Sequence, residues 1–207
     1  PQARPQSSRV PVRRGQWRGP RRIGFLLLPG FAMVAYACAM EPYRAANDLA
    51  EDDLYIWRHI SPDGRPVAAS SGVSILPDQG TDRPSDVDCL LVCAGGIPTA
   101  FDDPATFAWL RREAARGVVL GGVSAGAEVL ARAGLLGGYR CTTHWEYLPA
   151  MRERYPTLML TRSLYEMDRE RRTCAGGTAA LDMALALIEA ECGRPLAHAV
   201  AEWFLHT

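Results

Sequence analysis

Lysine is absent: all 23 basic residues among the 207 are arginines, a compositional bias without functional content of its own. Also missing is any run of about 18 uncharged apolar residues, so no helix able to cross a bilayer is expected. The amino terminus lacks the order of a secretory signal. Residues 1–22 are basic and proline-rich, and the apolar stretch behind them, 23–28, stops after six residues. A soluble cytoplasmic protein with no membrane partner is the resulting expectation. Only four histidines occur and none stands at ligand spacing, so neither a metal nor a cofactor is expected. Six cysteines (Cys38, Cys89, Cys93, Cys141, Cys174, Cys192) lie inside apolar runs instead of loops, and a chain this long needs no disulfide staples. Cys89 and Cys93, on one predicted strand, would hold their sulfurs about 13 Å apart. Buried free thiols are expected.

What is present is a chain with 48% hydrophobic residues, enough for one sizeable core. Its zero net charge hides an asymmetry. Residues 1–22 contain seven arginines and no acid, which leaves 16 basic against 23 acidic residues and a body of −7. Such a body is a poor non-specific binder of nucleic acid. The basic segment 1–21 reads as a disordered arm or leader, although basic charge can also touch nucleic acid. From residue 22 onward, short apolar runs alternate with helical periodicity. Predicted strands at 23–28, 55–60, 87–93 and 118–120 alternate with predicted helices at 33–48, 103–116 and 125–133. Later strands are expected at 141–144, 158–161, 164–167 and 172–174, with helices at 146–154, 177–192 and 196–204, and a small hairpin around Ser71-Gly72. This pattern predicts an α/β fold, a doubly wound and mostly parallel sheet with helices on both faces. In such sheets ligands bind beyond the carboxyl ends of the strands.

Three strand exits draw the eye: Pro29-Gly30, Ala94-Gly95-Gly96-Ile97, and Gly122-Val123-Ser124-Ala125-Gly126. The last fits G-x-S-x-G, the sharp strand-to-helix turn that lifts its central side chain and leaves no room for neighbouring Cβ atoms. Backbone N–H groups at the helix start and near Gly95-Gly96 would suit an anion or a carbonyl oxygen. A serine nucleophile needs a base, and His144 is the histidine this topology places best; it fits a packed structural role equally well. Glu41, Glu128, Glu146 and Asp168 are candidate third members. The residues alone lead to a ligand crevice with a Ser–His pair. Gly95, Gly96, Ile97, Ser124, Ala125, His144 and Trp145 are its expected lining.

The segments "GFLLLPGFAMVAYACAMEPYRAAN", "GVSAGAEVLARAGLLGGYRCTTHWEYL" and "YEMDRERRTCAGGTAALDMALALI" resemble the N-terminal domain of GlxA-like AraC-family transcription regulators. That domain is of the PfpI type, within the class I glutamine-amidotransferase-like, flavodoxin-like superfamily. The resemblance covers residues 22–207. It implies a nucleophilic cysteine at position 124, a histidine near His144 and a supporting glutamate near Ala35, so the chain departs from the enzymes at two of three positions. A thiol can be tuned to a thiolate by a helix N-terminus, whereas an alcohol needs an oriented base. The resemblance therefore implies a non-catalytic metabolite-sensing domain, no enzyme, with a Ser–His hydrolase or amidase as the alternative. It further implies a homodimer and a ligand of amino acid, betaine or guanidino type whose amine rests on Trp145. DNA would be reached only through a C-terminal helix-turn-helix domain that these 207 residues do not contain.

Overall fold

Apolar runs bounded by glycine and proline become strands buried on both faces, as crossover connections require. The structure, a computed structural model, describes residues 10–206 except 13, 14, 16 and 18. The arm arginines Arg4, Arg9, Arg13, Arg14 and Arg18, and with them any contact of the arm with nucleic acid, lie outside the described residues. Of the rest of that segment, Val10, Val12 and Trp17 pack against the core, and the Gly15 N–H donates to the Glu191 carbonyl at 3.0 Å.

In chain order, β1 (Arg21–Leu27) is followed by α1 (Met33–Ala50), β2 (Tyr55–Ile60) and a small hairpin, β3 (Val67–Ala68) with β4 (Ser74–Ile75). Then come β5 (Cys89–Ala94), α2 (Pro104–Ala115), β6 (Val119–Ser124), α3 (Gly126–Arg132), β7 (Arg140–Cys141) and α4 (Leu148–Arg154). The chain closes with β8 (Met159–Leu160), β9 (Tyr165–Asp168), β10 (Arg171–Cys174), α5 (Ala179–Cys192) and α6 (Arg194–Trp203). The main sheet has the order β2-β1-β5-β6-β10-β9 and is parallel except for the β10–β9 pair. This is the expected doubly wound, flavodoxin-like arrangement, with its change of direction between β1 and β5. Two core clusters lie one on each face, around α1, α5 and α6 on one side and α2 and α3 on the other. All six cysteines are free, and only Cys38 is not fully buried. No helix among the described residues is long and apolar enough to cross a membrane.

Two differences from the sequence reading bear on the site. The strand expected at 118–120 continues through Gly121 and Gly122 to Ser124. A glycine pair weakens a strand by propensity, but here it allows close approach: a Cβ on Gly121 would stand 2.9 Å from the Arg172 carbonyl oxygen. The strand expected at 141–144 shrinks to Arg140–Cys141. The Thr142 N–H donates instead to Thr173 Oγ1 at 2.9 Å, and its hydroxyl donates to the Ser163 carbonyl at 2.8 Å. Side-chain bonds replace the ladder, and Thr143 and His144 are left in a loop that runs into α4.

Candidate functional site

The turn at Ser124 has the strained backbone its sequence predicts. Ser124 has φ 57, left-handed territory that costs a non-glycine residue about 1 kcal/mol or more. The fold over-determines it. A Cβ on Gly126 would run into the Val92 carbonyl, and one on Gly122 into the Ala127 N–H, so neither position tolerates a side chain. Gly176 closes the site from β10: its own Cβ, if present, would lie 2.8 Å from Ser124 Oγ. Ser124 is 5% exposed and Ala125 is fully buried. Beneath the turn lies Cys174, whose thiol burial pushes up to about 11, while N–H groups of Gly176 and Ser124 that point at the sulfur act the other way. A cysteine therefore does sit at this centre, one strand over, as a buried thiol.

His144 does not complete a nucleophilic pair. Among the described residues no hydrogen bond joins it to Ser124. Its Nδ1 accepts the Glu146 N–H at 3.4 Å and stands 3.8 Å from Glu146 Oε2, beyond hydrogen-bond length. The ring lies between Trp145 (centroids 5.4 Å apart) and Tyr147 (5.6 Å). The other candidate acids are engaged elsewhere. Glu41 meets Arg44, Asp168 meets Arg169 and the Arg140 N–H, and Glu128, 1% exposed, is paired with Arg154 of α4. Ala35, near which the supporting acid was expected, is buried in α1 and carries no carboxylate.

The three strand exits do converge, but the space above them is divided. The Tyr147 hydroxyl donates to the Gly96 carbonyl at 2.7 Å and links the loop after β7 to the loop after β5. On one side Gly95, Gly96 and Ile97, with Leu28 and Phe101, line an apolar cavity of about 360 Å³. On the other side Trp145 lines a cavity of about 460 Å³ together with Thr143, Leu148, Arg152, Arg162 and Leu164. Of the seven residues expected to share one crevice, Gly95, Gly96 and Ile97 thus line one cavity and Trp145 the other, while Ser124, Ala125 and His144 line neither. Trp145 is 76% exposed, so it is not packed beneath α4. Thr143 connects the second cavity to the elbow, because its hydroxyl donates to the Ser124 carbonyl at 3.1 Å. Thr143, Tyr147, Arg152 and Arg162 were not singled out from the sequence. Thr143 and Tyr147 flank the noted His144-Trp145 pair, but nothing distinguishes Arg152 or Arg162 among so many arginines. No group of three or more His, Cys, Asp or Glu among the described residues is placed to hold a metal ion.

The chain belongs to the DJ-1/PfpI family, whose sequence profile matches residues 22–190. It is 47% identical to the HTH-type transcriptional regulator GbdR of Pseudomonas aeruginosa (strain UCBPP-PA14) over 193 residues, 92% of this chain and 52% of that protein. Against the HTH-type transcriptional regulator GlxA of Rhizobium meliloti (strain 1021) it is 43% identical over 190 residues, 91% of this chain and 59% of GlxA. An enzyme is related too: isonitrile hydratase of Pseudomonas putida, 30% identical over 81% of this chain and 71% of its own. Among solved structures, an AraC family transcriptional regulator from Pseudomonas putida superposes with TM-score 0.81 at 32% identity, covering 89% of this chain and all of that one. The chain spans little more than half the length of the curated regulators it matches.

Proposed function

We propose, from membership of the DJ-1/PfpI family, that the chain is the non-catalytic ligand-sensing part of an AraC-type transcription regulator. The observation that carries this reading is the closed centre. Ser124 has no base within hydrogen-bond reach among the described residues, whereas an open cavity lies next to it and touches it through Thr143. Similarity to DNA-binding regulators over nearly the whole chain supports the same role. In this reading the ligand is a small amine-bearing metabolite of amino acid, betaine or guanidino type, with its cation on the Trp145 indole and beside His144. An indole face contributes about 0.5–2 kcal/mol to such a cation, depending on desolvation. Gly95, Gly96 and Ile97 border the other, apolar cavity, and Ser124 and Ala125 hold the shape between the two.

The regulator acts in the cytoplasm as a homodimer, which sets two DNA-binding halves on paired sites; DNA is reached through the helix-turn-helix part and not through this domain. Titration calorimetry with amines of this class tests the ligand: stabilisation by neutral metabolites alone, or amine binding indifferent to Trp145→Ala, would sink it. A monomer in analytical ultracentrifugation at micromolar concentration would remove the dimer.

A second reading, a Ser124-dependent hydrolase or amidase, is favoured by the left-handed elbow and by the isonitrile hydratase relative. Turnover of small amides or esters that vanishes in Ser124→Ala would establish it and overturn the sensor reading.

A further inference from the structure

Arg152 and Arg162 reach the Trp145 cavity from two different elements, Arg152 from α4 and Arg162 from the loop after β8. Among the described residues no acid lines that cavity. Among the described residues neither guanidinium makes a hydrogen bond or an ion pair. Arg22, Arg44, Arg132, Arg154 and Arg169 each meet a carboxylate; Arg58, Arg112 and Arg194 are unpaired among the described residues too, and what sets Arg152 and Arg162 apart is that they line one cavity together. In a body of net −7, two neighbouring unneutralised arginines are a local reversal of sign. Both side chains are exposed, and arginine forks recognise carboxylates and phosphates, often with two parallel hydrogen bonds.

The platforms under both arginines are fixed even though their heads are free. The loop carrying Arg162 is pinned on each side. The Thr161 N–H donates to the Cys141 carbonyl at 2.9 Å, the Thr142 hydroxyl to the Ser163 carbonyl at 2.8 Å, and the Ala175 N–H to the Leu164 carbonyl at 2.8 Å. The helix carrying Arg152 is tied to α3 by Arg154 and Glu128, and the loop before it to Gly96 by Tyr147. A rigid stage confines the ordering cost of binding an anion to the two side chains themselves, since the backbone beneath them is already fixed.

The elbow is a poorer seat for that anion. Its helix α3 has only seven residues, and its first turn already holds the buried carboxylate of Glu128. A ligand anion there would face that charge.

We propose that the Trp145 cavity binds a small zwitterion, with its carboxylate between Arg152 and Arg162 and its cation on the Trp145 indole. This rests on the amine-sensor reading above and adds the anionic half of the ligand. A phosphate would satisfy the arginines but leave the indole face idle; a zwitterion uses both. Leu148, Pro149 and Leu164 supply apolar walls for methyl or methylene groups, and about 460 Å³ suits a small metabolite.

The test is calorimetric titration of the 207-residue chain with paired probes. Trimethylglycine is compared with choline, and arginine with agmatine; each second compound lacks the carboxylate. 3,3-Dimethylbutanoate, an uncharged-methyl analogue of trimethylglycine, and inorganic phosphate complete the set. One zwitterion should bind at least about tenfold more tightly than its carboxyl-free partner. R152Q and R162Q, with unchanged melting temperatures, should each erase most of that preference while leaving the weaker partner where it was. W145A should weaken both members of the pair together. Equal affinity for the two members, or a preference untouched by both arginine variants, overturns the carboxylate seat and leaves the amine reading standing. Tighter binding of phosphate than of either zwitterion overturns it as well, as does a failure of every probe to bind. Binding of 3,3-dimethylbutanoate as tight as that of trimethylglycine, lost in R152Q, keeps the carboxylate seat and removes the amine.

Discussion

The elbow at Ser124 and the cavity beneath Trp145 are neighbours that share Thr143, yet they are held by opposite means. The elbow is defined by what is missing. Glycines at 122, 126 and 176 remove Cβ atoms so that three backbones can crowd one buried serine. The cavity is defined by what is left over: an exposed indole and, among the described residues, two arginines without partners, standing on a helix and on loops that other bonds have fixed. Close-packed backbone transmits strain and resists change, whereas free side chains above a stiff base are available to a ligand. Within one site, rigidity and recognition are carried by different residues.

This division can be broken most directly at Gly126. Gly126→Ala drives a methyl group into the Val92 carbonyl, and a loss of about 4 kcal/mol or more is expected in urea denaturation, or no folding at all. Arg152→Gln and Trp145→Ala, by contrast, should change stability by no more than about 0.5 kcal/mol, because neither side chain holds the fold. Equal damage from both kinds of substitution would dissolve the distinction. Next in size is Glu128→Ala, which leaves Arg154 unpaired and frees α4 from α3. The expected cost is about 1.5 kcal/mol, below that of an orphaned buried charge because the arginine left behind is 44% exposed and can turn to water. The same variant should weaken ligand binding, since it loosens the platform of Arg152.

Thr143→Val probes the point where the two regions meet. Loss of the hydrogen bond to the Ser124 carbonyl should cost about 1 kcal/mol of stability. It should also lower ligand affinity more than Ser124→Ala does, measured side by side by calorimetry.

The smallest effect lies away from both regions and serves as a control. His59 stacks on Phe25 and bonds the Tyr36 hydroxyl at 2.7 Å; among the described residues its charged neighbour is Asp78, 3.8 Å from its Nδ1. Burial lowers its pKa below the ordinary 6.5, with Asp78 acting against that shift. The folded state thus binds fewer protons than the unfolded chain as pH falls through 6.5 toward the lowered value, and stability declines across that window. Melting temperature should be lower near pH 5.5 than near pH 7.5, and the difference should shrink in His59→Gln. A pH dependence unchanged by that substitution would place its origin elsewhere.

Much of the scaffold was legible before any coordinates. The strand at β2, the hairpin, the start of α2 at Asp103-Pro104 and the succession of strands and helices follow from apolar runs and turn residues. The elbow was legible as well, because its glycines and its serine are consecutive and the strain they serve is local. The length of β6 was misread, since Gly121 and Gly122 end a strand by propensity while close contact with Leu91 and Arg172 keeps them in one. The single crevice was misread too. Tyr147 divides it by bonding a carbonyl 51 positions away, and no local pattern announces such a bond.

What the sequence determined by itself is therefore the class of fold and the shape of the Ser124 turn, both set by residues adjacent in the chain and by one repeating alternation. Only the tertiary structure decided that Cys174 lies buried under that turn, that the open space belongs to Trp145, and that Arg152 and Arg162 share one cavity. Those pairings come from bonds between distant segments: the loop at 161–163 is held to Cys141 and Thr142, Ala175 to Leu164, and α4 to α3. Along the chain the two arginines are ordinary surface charges; packing brings them to the same cavity and leaves both without a partner.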